Sequence, residues 1–131
     1  MTAGLQLLNA ESSEILVPRL ELAATFWSRF RGLQLRKELP AGAGLLIVPC
    51  RSLHTHWMRF AIDVVMIDAD GQVIEVRSSL RPWRTCAGPR GTKAVLEVSA
   101  KSALLKEGDK VAIRMSGQDE VPFPARFLSE S

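Results

Sequence analysis

The chain has 131 residues, of which 47% are hydrophobic and 24% charged, with 17 Lys and Arg against 14 Asp and Glu. That is the size and balance of one soluble globular domain, able to bury a core of its own. A formal net charge of +3 falls far below the loading of a dedicated nucleic-acid binder, and no apolar run approaches the ~18 residues that a membrane-crossing helix needs.

The opening stretch MTAGLQLLNAESSE lacks a basic start and a long apolar segment, so no signal peptide is expected and the protein is expected in the cytoplasm. Cys50 and Cys86 are accordingly expected as reduced thiols. LQLLN and EILVPRLELA read as two short strands around a hairpin at Asn9–Ser13, with Pro18 interrupting the second. ATFWSRFRGLQ predicts a short amphipathic helix near positions 25 to 32. Thr25 caps it, Phe26, Phe30 and Leu33 recur at helical spacing, and Gly32 closes it.

LPAGAG is a turn leading into LLIVP, a continuous apolar run of buried-strand length. SLHTHWM alternates like a strand, and IDVVMIDADGQVIEV reads as a hairpin whose Asp-Ala-Asp-Gly turn uses Gly71 for positive φ. RSSLRPWRTCAGPRGTK reads as loop, AVLEV as strand, SAKSALLKEGD as a short helix or turn, and KVAIRM as the last strand. The tail from 116 to 131 has no periodicity and is expected to be irregular, with the globular part at about 5 to 115. The sum is a single mostly-β (β-rich α+β) domain, a sandwich or partly open barrel of about eight short strands with one or two short helices.

The ordered series GLLIVPCRSLHTHWMRFAIDVVMIDADGQVIEV, LRPWR, AVLEV and EGDKV resembles the small prokaryotic family called domain of unknown function 192. Upstream, AATFWSRFRGLQLRKELP is similar to that family's Thr-containing helix, Arg-x-x-Gly-Leu and following Leu-Pro. The resemblance runs over roughly positions 15 to 114, and it implies a compact β-rich fold without assigning a biochemical role. After AVLEV the chain reads VSAKS where the family usually carries Ala-Gly, so that turn is expected to be built differently.

Function has to be argued from side chains. The chain's two histidines, His54 and His56, stand in one His-x-His triplet. On an unbroken strand they share a face with Cys50, Ser52 and Met58. Two imidazoles at that spacing suit a metal, with Cys50 or a carboxylate (Asp63, Asp68, Glu97) as a further ligand. Two histidines alone are too few for a structural metal site, however, and no metal is assigned. No nucleophile elbow, phosphate loop or dinucleotide fingerprint occurs, so no catalytic residue is assigned and no cofactor is identified.

Arg59 and Asp63 read first as an ion pair or a turn cap. Arg59 turned inward beside Thr55 and His56 would instead form an anion pocket, its guanidinium fork matching carboxylate or phosphate. From position 77 to 96 there are five cations (Arg77, Arg81, Arg84, Arg90, Lys93) and no acid, with Trp83 among them. The expectation is a non-catalytic module binding a small anionic ligand or a protein partner through His54, His56, Arg59 and Asp63, rimmed by Trp83 and Arg84. The first alternative is a metal-dependent enzyme using the histidine pair, with Asp63 or Glu97 as base. The second is a weak nucleic-acid binder acting through positions 77 to 93, which the near-neutral remainder of the chain argues against. No membrane partner is expected.

Overall fold

The computed structural model describes residues 4–23, 39–56, 58–115 and 121–122. Among them the regular structure is entirely β. The strands are β1 (Leu5–Asn9), β2 (Ile15–Val17), β3 (Arg19–Ala23), β4 (Ala43–Ile47), β5 (Ser52–His54), β6 (Ile62–Ile67), β7 (Val73–Leu80), β8 (Thr85–Ala87), β9 (Ala94–Ser99), β10 (Val111–Met115) and β11 (Val121–Pro122). The helix expected near positions 25 to 32 lies outside the described residues. The segment read as helix or turn before Gly108 has turns at 100–101 and 107–108 joined by irregular chain, with Leu105 buried and Leu104 exposed.

A five-stranded sheet, β3-β4-β9-β6-β7, forms the centre. Its β3–β4 pair is parallel, and the other pairings are antiparallel. A four-stranded sheet, β11-β10-β1-β2, packs on one face. Leu7, Val17, Val111 and Ile113 from this sheet meet Leu20, Leu46, Val65, Ile67, Leu96 and Val98 from the central one. Of the two architectures expected, the sandwich is the one formed. Among the described residues the sheets stay open and do not close into a barrel.

The opposite face of the central sheet carries a second core. Leu45, Ile47, Ile62, Val64, Met66 and Val95 pack there with Met58 and Leu39, beneath a two-stranded β5–β8 ribbon that contributes Leu53 and Cys86. Both faces of β4, β6 and β9 are therefore covered. This explains why LLIV, IDVVMI and AVLEV are near-continuous apolar runs: successive side chains point to opposite faces, and neither face meets water.

Local chemistry sets the joins. Pro18, expected to interrupt a strand, stands where the chain leaves one sheet for the other, between β2 and β3. Proline cannot donate to a ladder, and a sheet switch is a place where no donor is needed. The two sheets approach closely at Gly44, where an added Cβ would lie 3.0 Å from Val17 Cγ1 and 3.1 Å from Val98 Cγ1. The β6–β7 hairpin turns at Asp68–Gly71 as expected, with Gly71 at φ 85°. Asp68 Oδ1 accepts the amides of Asp70 (2.8 Å) and Gln72 (2.9 Å).

The count of strands exceeds the expected eight for three reasons. Pro18 divides one expected strand into two. Residues 85–87, read as loop, pair with β5. In the tail, Val121–Pro122 pairs with Ala112 and Ile113 of β10.

Candidate anion-binding site

The strand that begins the His-x-His segment is short. β5 pairs with β8 through Ser52↔Ala87, Leu53↔Cys86 and His54↔Thr85, and then stops. Thr55 ends it. Its side chain is fully buried, and its backbone and hydroxyl bind the facing loop at several points. The Thr55 amide donates to the Arg84 carbonyl (2.8 Å), and the Trp83 amide donates to the Thr55 carbonyl (3.0 Å). The Thr55 hydroxyl donates to the Arg81 carbonyl (2.5 Å) and accepts the Arg84 amide (2.9 Å). Residues 81–84 are thus fixed to the end of the ribbon through one buried threonine.

Because the chain turns at Thr55, the strand alternation expected from Cys50 to Met58 breaks there. Met58 is buried in the second core, while His54 is exposed and His56 half-buried. The two imidazoles still meet. Their centroids are 4.9 Å apart, and the His56 amide donates to His54 Nδ1 at 3.3 Å.

Trp83 joins them. Its indole stands edge-on to His56, at 5.2 Å between centroids and an interplanar angle of 88°. That is the edge-to-face geometry aromatic rings prefer. Trp83 has a φ of 64°, left-handed backbone that costs a bulky residue roughly 1–2 kcal/mol, yet its side chain is 51% exposed. The bonds to Thr55 hold this strained backbone in place. The outcome is a large aromatic presented at the surface beside two imidazoles, with the exposed Arg81 and Arg84 on the same loop.

The other expected site residues lie in different settings. Arg59 is exposed, just past buried Met58. Asp63 is buried within β6, where Oδ1 accepts the Ser79 amide (2.8 Å) and Oδ2 the Ala103 amide (3.1 Å). The β6–β7 register shifts between Ile62 and Val64, so Ser79, at φ 54°, belongs to a bulge that Asp63 caps. Its carboxylate holds the strand that leads into the 81–84 loop, which is the turn-capping role rather than the ion pair. Glu97 is buried in β9, in cross-strand register with Leu45 and Val64.

Neither cysteine is in a disulfide. Leu53↔Cys86 pairing places Cys50 about three residues along the ribbon, roughly 10 Å away, beyond the reach of a bridge. The Cys50 thiol donates to the Ser52 carbonyl at 3.2 Å. Burial pushes the Cys86 thiol up from its ordinary value, partly offset by the nearby Arg77 guanidinium. Arg77 is itself raised by its hydrogen bond to Glu75. Among the described residues no group of three or more His, Cys, Asp or Glu side chains is placed to hold a metal ion.

Two further cations lie against the same ribbon, Arg51 just before β5 and Arg77 on β7 of the central sheet. Arg51 Nε donates to the Gly88 carbonyl and Arg77 Nη2 to the Ala87 carbonyl, both at 3.4 Å. The local signal for Arg77 was its place in the acid-free run. Arg51 gave none, because its position depends on a pairing between segments more than thirty residues apart.

Fold and site together define a β-sandwich with a clamped imidazole–indole cluster on an accessory ribbon. Residues 7–113 match the family DUF192, described as "Uncharacterized ACR", and the chain belongs to that family. A UPF0127 protein of Thermococcus sibiricus is 31% identical over 96 residues, covering 70% of this chain and 61% of that one. A second, from Pyrococcus abyssi, is 34% identical over 101 residues, covering 71% and 84%. The crystal structure of a protein of unknown function from Novosphingobium aromaticivorans superposes with a TM-score of 0.70 at 23% identity, covering 82% of this chain and 81% of the other. A Sinorhizobium meliloti protein, described as a candidate transcription regulator, gives 0.70 at 20% identity, covering 82% and 89%. At these identities the two solved structures share the fold alone. No helix among the described residues is long and apolar enough to cross a membrane.

Proposed function

We propose that this protein is a non-catalytic binding module that recognises an anionic group at the cluster of His54, His56 and Trp83, with Arg81 and Arg84 beside it. The observation that carries this reading is Trp83. A half-exposed indole on left-handed backbone, held by Thr55 and set edge-on to an imidazole, is a rigid contact surface rather than a solvated loop tip. Rigid aromatic anchors lose little entropy on binding and often dominate binding energy. The surrounding donors select the ligand's sign. Imidazole N–H groups and guanidinium forks suit phosphate or carboxylate oxygens. Arg59 adds a further exposed cation, and Asp63 supports the site through the Ser79 bulge without facing the ligand.

The test is a thermal-shift titration with phosphate, pyrophosphate and citrate. The expected result is a saturable rise in melting temperature, as ligand linkage requires. That rise should vanish in the His54→Ala, His56→Ala double variant while the unliganded melting temperature stays within about 3 °C of the parent, as two side chains outside the core allow. An equal rise in both proteins would remove the site from this role.

A further inference from the structure

The net charge of +3 conceals a strong partition. The two segments that build and flank the ribbon, 49–62 and 77–93, contain Arg51, Arg59, Arg77, Arg81, Arg84, Arg90 and Lys93, and neither contains an Asp or Glu. All seven are exposed, and one of them, Arg77, is ion-paired with Glu75 just outside these segments. These segments therefore hold seven of the chain's 17 cationic side chains and none of its 14 acids. The rest of the chain, with ten cations against 14 acids, is net negative. Overall charge understates the positive charge these two segments carry.

Pairing gives these charges an order in space. At one end of the ribbon stand His54, His56, Arg81, Trp83 and Arg84, gathered by Thr55. At the other end the Gly88 amide bonds the Arg51 carbonyl (2.7 Å), and the Cys50 amide bonds the Lys93 carbonyl (2.8 Å). Arg51 and Lys93 therefore sit together, with Arg90 on the intervening turn. From the His54↔Thr85 pair to Arg51 and Gly88 is three strand residues, or roughly 10 Å of backbone. Arg77 reaches the same strand at the Ala87 carbonyl. A single small anion occupies only one end of this arrangement. A chain of phosphates engages both.

Resting on the anion-binding reading, we infer that the ribbon binds single-stranded nucleic acid, its backbone running from the Thr55 end to the Arg51–Lys93 end and one base stacking on Trp83. Six of the seven cations are arginines, whose forks match phosphate oxygens. A half-exposed indole among them is the stacking platform that sequence-tolerant binders use. An anionic membrane fits less well, since Trp83 is the ribbon's one exposed large hydrophobic side chain among the described residues. An acidic polypeptide would use the cations without requiring the indole.

The test measures fluorescence anisotropy of labelled oligo-dT and oligo-U, each about 12 nucleotides long, between about 50 and 200 mM salt. The expected dissociation constant at low salt is about 1–100 µM, with a log–log salt slope near −3 for about four phosphates. Arg90→Ala and Arg84→Ala, at opposite ends, should each flatten that slope by about 0.7. Trp83→Ala should weaken binding about tenfold with little change in slope. Poly-glutamate and phosphatidylserine vesicles serve as competitors. Binding of either as tight as the oligonucleotide's and indifferent to Trp83→Ala would overturn the assignment to nucleic acid. Failure of the oligonucleotides to bind while pyrophosphate still shifts the melting temperature overturns this inference and leaves the anion site standing. Failure of both removes both.

Discussion

Thr55 and Trp83 lie 28 residues apart in the sequence and are joined backbone to backbone, the Trp83 amide donating to the Thr55 carbonyl at 3.0 Å. Through that bond, a fully buried threonine fixes the position of a half-exposed tryptophan. The Thr55 hydroxyl adds bonds to Arg81 and Arg84 on the same loop. The left-handed backbone of Trp83 persists because its surroundings determine it more than once.

The first expectation follows directly. Thr55→Val keeps the shape of the side chain but leaves the Arg84 amide and Arg81 carbonyl without their hydroxyl partner. Stability should fall by about 1–3 kcal/mol, the cost of unsatisfied buried polar groups. The loop should also loosen, so Trp83 fluorescence should become redder and more readily quenched by iodide. Chemical denaturation and quenching measure both, and a parent-like quenching constant would show that the hydroxyl does not hold the loop.

Asp63 supports the loop from below. Asp63→Ala deprives the half-buried Ser79 and Ala103 amides of their acceptor, and leaving such groups unsatisfied costs up to about 1–3 kcal/mol each. Asp63→Asn retains one acceptor oxygen but turns an NH2 toward the other amide, so it should recover only part of the loss. Urea midpoints rank the three proteins. Asn equal to the parent would mean that one of the two bonds contributes nothing.

Gly88 is a close-approach glycine. An added Cβ would lie 2.5 Å from Thr92 Oγ1 and 2.9 Å from the Arg51 carbonyl oxygen. Gly88→Ala should therefore cost about 1–3 kcal/mol by overpacking at the far end of the ribbon. Thr92→Ala removes the Oγ1 clash and leaves the backbone one, together with a tight 3.0 Å contact to the Thr92 Cβ. Gly88→Ala with Thr92→Ala should thus show a favourable coupling of about 0.5–1 kcal/mol, and strict additivity would contradict this packing.

The cysteines should differ in reactivity. Cys86 lies in the second core with its thiol pushed up by burial, whereas Cys50 is half-buried. At pH 8 a thiol reagent should label Cys50 well before Cys86, because the thiolate is the reactive form. A raised folded-state value means that the fold disfavours the Cys86 thiolate. Its contribution to stability is therefore intact below the ordinary thiol value of about 8.5 and is lost as pH rises through the raised value. Melting temperatures should decline in that alkaline window, and less so in Cys86→Ala.

Much of the fold was legible because its signals are local. The turn at Asp68–Gly71, the interruption at Pro18 and the continuous runs of β4, β6 and β9 each follow from nearby residues. The candidate cluster is legible in its members more than in its geometry. His54, His56 and Trp83 stand out in the sequence, and they meet. The strand expected through His56 ends at His54, because burial of Thr55 and its bonds to residues 81–84 stop it, and those partners lie far along the chain. The same distance hid β8 inside a segment read as loop. It also left the charge partition half visible, with the run from 77 to 93 apparent but its pairing with Arg51 not.

The most direct test of the account is an NMR titration with pyrophosphate, following amide and indole signals. The expected result is saturable shifts concentrated at the Trp83 indole and at the amides of Thr55, His56, Trp83 and Arg84, with the central sheet unmoved. Shifts scattered over the surface in proportion to ionic strength, or concentrated on a face away from the ribbon, would contradict the claim that this cluster is an anion-recognising site.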